Sequence, residues 1–102
     1  MEGREIDSLA RNHITGEGFD EYPHALGHQI GRKAHDGGTL LCPEWERYGN
    51  LPYMKVEEGQ AFTLEPRIIL PDYGVATIEE IIVVRPSGGE FLSRPQTGIF
   101  LI

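Results

Sequence analysis

Between Pro23 and Gly38 the chain reads Pro-His-Ala-Leu-Gly-His-Gln-Ile-Gly-Arg-Lys-Ala-His-Asp-Gly-Gly, and this stretch discourages a helix. Proline removes a backbone donor, and each interior glycine costs a helix about 1 kcal/mol relative to alanine. An extended path is therefore expected. The same stretch packs three of the chain's four histidines, His24, His28 and His35, into twelve residues. Imidazole both ligates transition metals and moves protons near neutral pH, which makes the stretch the first candidate for chemistry. In an extended chain His24 and His28 share a face but stand about 13 Å apart, at roughly 3.3 Å per residue. They cannot both bind one ion there, whereas on a helix they could.

Composition limits what this stretch can serve. A chain of 102 residues is a single domain with room for one core. The net charge of −7 argues against nucleic acid as a partner, because phosphate neutralisation needs a basic surface. Gathered carboxylates suit cations instead. Cys42 is the only cysteine, so no intramolecular disulfide forms and nothing points to an oxidising compartment. The first residues lack the basic start and apolar core of a signal peptide, and no apolar run approaches a membrane span. No membrane contact and a cytoplasmic location are the expectations.

Taken in order, Ile6, Leu9, Ala10 and Ile14 fall at helical spacing, with Asp7, Arg11 and Asn12 on other faces. A helix from near Glu5 to near Thr15 is expected, ended by Gly16 or Gly18, with His13 facing solvent. Cys42 to Tyr53 is an aromatic, turn-rich connection beside a pocket. Ala61–Leu64 alternates, placing Phe62 and Leu64 on one side and Thr63 and Glu65 on the other, with Pro66 at the strand's end. Pro71-Asp-Tyr-Gly is a turn. Val75 to Val84 reads as one β-branched strand, with Thr77, Glu79 and Ile81 on one face and Glu80 and Ile82 on the other. Only one of the paired glutamates can enter a given site. A Glu79 buried among isoleucines is costly unless it is paired or ligates a metal; a wet edge strand, or a pair with Arg67 or Arg85, is the plainer alternative. Ser87-Gly88-Gly89 is a hairpin turn, and Gly98–Ile102 a final strand.

The order His-x-x-x-His-x-x-Gly, Ala-His-Asp, Glu-Gly-Gln-Ala-Phe-Thr-Leu-Glu-Pro and Ile-Glu-Glu-Ile-Ile-Val resembles the C-terminal half of the pita-bread metallopeptidases. Prolidase, aminopeptidase P and methionine aminopeptidase belong there, with creatinase as a relative of different chemistry. The resemblance runs from Glu5 to Leu92. It implies an α+β fold, a curved antiparallel sheet with a flanking helix, as residues 1–102 of a larger catalytic domain. It also implies a site for two divalent ions (Mn, Co, Fe or Zn) held by two aspartates, one histidine and two glutamates. His28, Glu65 and Glu79 match the metal-binding histidine, the glutamate that is also general base toward a metal-bound hydroxide, and the bridging glutamate. His24 and His35 match the histidines that line the substrate site. The spacing of His24 and His28, and Ala34-His35-Asp36, look more like the prolidase and aminopeptidase P branch, whose peptide substrates carry proline at the second position.

Two departures bear on this. Thr77 stands where the family often has an arginine. The two aspartates belong to strands before the leading helix; Asp7 lies on that helix and cannot replace them, and Asp20 is a weak candidate. The isolated chain is then expected to bind one ion weakly or none and to be inactive, and to cover its apolar face with a second copy or the N-terminal half. A creatinase-like activity or a metal-free binding module is the competing reading.

Overall fold

The computed structural model describes residues 1–98, so the strand expected over Gly98–Ile102 lies outside the described residues apart from Gly98. Helix α1 spans Gly3–Gly16. Strands follow as β1 (Gly27–Ile30), β2 (Leu40–Leu41), β3 (Ala61–Leu64), β4 (Arg67–Leu70), β5 (Gly74–Thr77), β6 (Glu80–Arg85) and β7 (Gly88–Phe91), with short 3-10 turns at Glu46–Tyr48 and Leu51–Tyr53. All pairings are antiparallel, in a five-stranded sheet ordered β2-β1-β3-β6-β7 and a two-stranded sheet of β4 and β5. No helix among the described residues is long and apolar enough to cross a membrane.

The run expected as one strand, Val75 to Val84, is broken at Ile78 and Glu79 into β5 and β6. Yet the two sheets share a register. Thr63 faces Ile81 and Leu64 faces Glu80 before the break, and Arg67 faces Thr77 after it. Carried across the gap, that register sets Glu65 opposite Glu79 and Pro66 opposite Ile78. Proline has no N–H to offer a ladder, and the Glu65 N–H lies on the other edge, where it extends the β1–β3 register by bonding the Leu26 carbonyl at 2.6 Å. The ladder is thus interrupted where the two candidate glutamates sit.

Alternation along the strands separates core from site. Phe62, Leu64, Ile82 and Val84 join Leu26 and Leu41 in the apolar core, onto which α1 lays Ile6 and Ala10. The opposite face carries Thr63, Glu65, Glu79 and Ile81. Gly3 lets α1 approach the sheet, since a Cβ there would collide with the Leu40 carbonyl.

Of the apolar stripe, Ile14 is buried and Ile6 and Ala10 pack on the core, but Leu9 does not. Leu9 is 65% exposed, while Asp7 and Arg11 are 1% and 6% exposed. Arg11 grips Asp7 through two parallel bonds of 2.8 and 3.0 Å. Burial alone would lower the Arg11 pKa, but the Asp7 hydrogen bonds and charge outweigh it and hold the guanidinium more firmly protonated. The helix docks through this pair as much as through Ile6 and Ala10. Burial pushes the Cys42 thiol up to about 11, as suits a small core side chain.

Of the paired glutamates, the buried one is Glu80 and not Glu79, which is exposed. Glu80 accepts from the Ser93 hydroxyl at 2.6 Å and the Gln96 N–H at 2.8 Å, tying residues 93–96 to β6. Arg85 pairs with Glu90 instead, at 3.2 Å.

Two stability predictions follow from these groups. Arg11→Met alone leaves the Asp7 carboxylate buried without its partner and is expected to cost about 3–5 kcal/mol in urea unfolding, whereas Asp7→Leu with Arg11→Met recovers only part of it, because the Tyr22 and His24 carbonyls and the Leu26 N–H stay unpaired. The Ser93 and Gln96 bonds hold the Glu80 carboxyl below its ordinary value of 4.5. Its contribution is therefore complete above that value and is lost as pH falls through the lower folded one. The thermal midpoint should drop over that acid range in the native chain, and Glu80→Gln should flatten the drop while lowering the midpoint at pH 7.

Candidate active site

The five residues singled out from the sequence line one open cleft of about 540 Å³: His24, His28, His35, Glu65 and Glu79. Ala25, Leu40, Tyr48, Arg67 and Thr77 complete much of its wall. Asp20 is exposed and outside this lining.

His28 is placed by β1, which runs between β2 and β3. Gly27 makes the approach possible, because a Cβ there would strike the Thr63 carbonyl oxygen. The His28 N–H then donates to Thr63 Oγ1 at 3.1 Å, and the same hydroxyl donates to Glu65 Oε2 at 2.7 Å. One buried threonine therefore orients both candidate ligands, and His28 Nε2 ends 3.2 Å from Glu65 Oε2.

The tautomer of His28 can be assigned from its surroundings. Nδ1 lies 3.2 Å from the Gln29 carbonyl, which can only accept, so Nδ1 carries the hydrogen. In the neutral ring, Nε2 then turns a lone pair toward a carboxylate oxygen. A doubly protonated ring would instead donate Nε2–H to Glu65 as an ion pair, whereas two acceptors at this distance would be satisfied by a cation between them. Ligands each about 2.0–2.2 Å from an ion in near-tetrahedral geometry stand roughly 3.2–3.5 Å apart, so His28 and Glu65 fit two positions on one metal. Glu79 lines the same cleft, but among the described residues no three His, Cys, Asp or Glu side chains converge tightly enough to surround an ion.

His24 precedes β1 and is held by its backbone. Arg11 donates to the Tyr22 carbonyl at 2.8 Å and the His24 carbonyl at 2.7 Å, while Arg47 donates to the Pro23 carbonyl between them. Trp45 lies between the two guanidiniums, 4.9 Å from Arg11 and 4.8 Å from Arg47, and stacks on Tyr48. The connection from Cys42 to Tyr53 thereby braces the loop as well as lining the cleft. The His24 Nδ1 faces the Ala25 carbonyl at 2.8 Å, leaving Nε2 buried and without a hydrogen-bond partner among the described residues. Tyr22, beneath Arg11, is pushed up to about 12 by burial and stays protonated. His35 is exposed, with its ring centroid 4.0 Å from that of His28.

Reading by sequence alone missed Asp7 and Arg11 as the brace of the loop, Thr63 as the shared orienting hydroxyl, and Arg67 as a lining residue. Alternation was the available signal for the last two: Thr63, Glu65 and Arg67 lie two apart, and Thr77 and Glu79 share their face. Thr77, where the resembling sequences often carry an arginine, faces an arginine across the ladder.

This arrangement has counterparts among known proteins. The chain is 34% identical to an Xaa-Pro dipeptidase of Pyrococcus horikoshii over 94 residues, which is 91% of this chain and 24% of that protein. An X-Pro aminopeptidase structure from Thermotoga maritima superposes with a TM-score of 0.81 and 31% identity, covering all of this chain and 27% of that one. The prolidase of Pyrococcus furiosus gives 0.79 and 28%, over 95% of this chain and 27% of its own. The chain spans about a quarter of the length of the curated relatives it matches. The fold is the α+β arrangement of the pita-bread peptidases. A sequence profile matches residues 1–86, which include every residue of the cleft, and by that match the chain belongs to metallopeptidase family M24.

Proposed function

We propose that the chain supplies the histidine and glutamate part of a metal-dependent peptidase site for peptides with proline at the second position. His28, Glu65 and Glu79 are its metal ligands, and His24 and His35 handle substrate. The observation that carries this reading is the 3.2 Å approach of His28 Nε2 to Glu65 Oε2 in a cleft that Glu79, His24 and His35 also line. When bound, divalent ions would polarise the scissile carbonyl and lower the pKa of water. The choice among Mn, Co, Fe and Zn is open to a donor set of imidazole and carboxylate.

The chain's own groups divide the remaining work. Thr63 occupies Glu65 Oε2, so Oε1 is the atom left to accept a proton. His24 Nε2, buried and unpartnered at the cleft, is the ring atom left to bond a substrate group, since Nδ1 faces the Ala25 carbonyl. His35 covers the His28 ring and limits water around it. The aspartate ligands come from polypeptide beyond these 102 residues, consistent with the share of its relatives that the chain spans. In this reading the isolated chain binds an ion weakly and hydrolyses little. A metal-free or creatinase-like module is favoured instead by the lack of three converging ligands among the described residues.

Metal content by mass spectrometry after equilibration with Mn(II), followed by Xaa-Pro hydrolysis, tests the reading. Native chain should retain at most one ion, and His28→Ala should lose it. Thr63→Val, which removes only the orienting hydroxyl, should weaken metal binding about 10–100-fold. Metal binding unchanged by both His28→Ala and Glu79→Ala would support the metal-free module. Robust turnover by the chain alone would contradict the division of the site.

We also propose that the β4–β5 hairpin is covered in the working protein by a second copy or by the remainder of the domain. It exposes Leu70, Tyr73, Val75 and Ile78, with Tyr73 at 91%, and such patches mark contacts. Light scattering at micromolar concentration should show self-association of the isolated chain; a monodisperse monomer would count against it.

A further inference from the structure

The loop of residues 31–37 joins β1 to β2 and carries Arg32, Lys33 and His35 along a second lobe of the cleft, which shares His28, Glu65 and Glu79 with the first. Every residue of this loop is exposed except Asp36, which is half-buried. A chain with glycine at both ends has much freedom to lose, about 1–2 kcal/mol for each residue fixed, so its path needs a restraint. The Asp36 carboxylate supplies one. Its Oδ2 accepts the Arg32 N–H and its Oδ1 the Gly37 N–H, each at 3.0 Å, and bonds to an ionised acceptor are the stronger kind. Gly31 closes on it so tightly that a Cβ there would strike Oδ2. The Asp36 N–H donates in turn to the Gln29 carbonyl at 3.2 Å, the same oxygen that faces His28 Nδ1. Gly37, at a φ of +81°, turns the chain back, and the Gln29 amide fills the place of its missing Cβ.

We propose that Asp36 is a positioning residue that sets the His35 ring over His28. The His35 ring is exposed and makes no hydrogen bond among the described residues, yet its centroid lies 4.0 Å from that of His28 at an interplanar angle of 31°. An aromatic pair contributes about 0.5–1.5 kcal/mol, too little to order a loop of this length. The stack is therefore a result of the loop's fold and not its cause. Asp36 directly follows His35, so the two bonds to its carboxylate fix the backbone that carries the ring. Asp36 itself lines neither lobe of the cleft, and both its oxygens face backbone donors. It acts through His35. The value of that placement to a substrate rests on the peptidase reading above, whereas the placement does not.

The test is proton NMR of the histidine rings in the EDTA-treated chain, at a pH that keeps imidazole neutral. A ring stacked on His28 moves its carbon-bound protons upfield, and His35→Ala gives their position without the stack. The native His28 signals should lie upfield of that position. Asp36→Ala should move them to it, with faster amide exchange at Arg32 and Gly37. Asp36→Asn, which keeps one acceptor oxygen, should recover part of the shift. His24, held from the other side by Arg11, is the internal control and should stay in place. A native shift equal to that of His35→Ala, or a native shift retained in Asp36→Ala, overturns the role of Asp36. Movement of the His24 signals along with those of His28 also overturns it, since the carboxylate would then support the cleft as a whole. Because no metal is present in the measurement, its failure leaves the His28 and Glu65 reading standing, and a failure of Mn(II) binding leaves the role of Asp36 standing.

Discussion

The Arg11 guanidinium is the interaction on which the remainder of the structure depends. One side chain binds Asp7 within its own helix and reaches the Tyr22 and His24 carbonyls beyond it. Asp7 in turn accepts the Leu26 N–H at 3.1 Å. Three backbone groups of a loop containing proline and glycine are satisfied inside the protein, where leaving any one unpaired would cost about 1–3 kcal/mol. A buried ion pair is weak evidence of stability taken alone. Here its geometric consequence matters more, because it fixes where the chain enters β1 and hence where His24 and His28 stand.

The second constraint is a defect. In a continuous β3–β4 and β5–β6 hairpin, alternate residues, Pro66 among them, would direct an N–H at the facing strand. Pro66 has none to offer opposite Ile78, while the Glu65 N–H continues the β1–β3 register by bonding the Leu26 carbonyl. The interruption opens the strand pair where Glu65 and Glu79 oppose each other. Two carboxylates directly across a regular ladder would repel. At a break they have room to separate, so one irregularity relieves the repulsion where both carboxylates line the cleft.

Much of this was legible in the residues. Alternation assigned Phe62 and Leu64 to the core and Thr63 and Glu65 to the other face, and it separated Glu79 from Glu80 correctly as to side. The pattern of ordered motifs led to the family. What could not be read was how polar groups settle each other's burial. Asp7 and Arg11 look like solvent-facing helix residues by hydropathy, because hydropathy assigns each its separate cost and not their joint satisfaction with the Tyr22, His24 and Leu26 backbone. For the same reason hydropathy leaves open whether either of the paired glutamates is buried or wet. Burial fell to Glu80, whose partners Ser93 and Gln96 lie far along the chain. The split of the Val75–Val84 run was hidden too, since β-branched residues suit both sides of the break and Pro66, which forces it, lies on the facing strand.

The supports of the candidate ligands are unequal, and this orders their behaviour. His28 and Glu65 are joined through Thr63, whose hydroxyl is bonded on both sides and whose side chain is buried. They form an oriented pair, with His28 Nε2 already 3.2 Å from Glu65 Oε2, so a cation bound there would require little further ordering. Glu79 is exposed, next to the ladder's break, and has no such support. Bringing it to an ion requires ordering a flexible carboxylate, with an entropic cost of about 1–2 kcal/mol. In the proposed site a first ion would be held by His28 and Glu65, with Glu79 joining only where further ligands offset the cost of ordering it. The support that the fold gives the proposed ligands is thus concentrated on His28 and Glu65 and is weakest at Glu79.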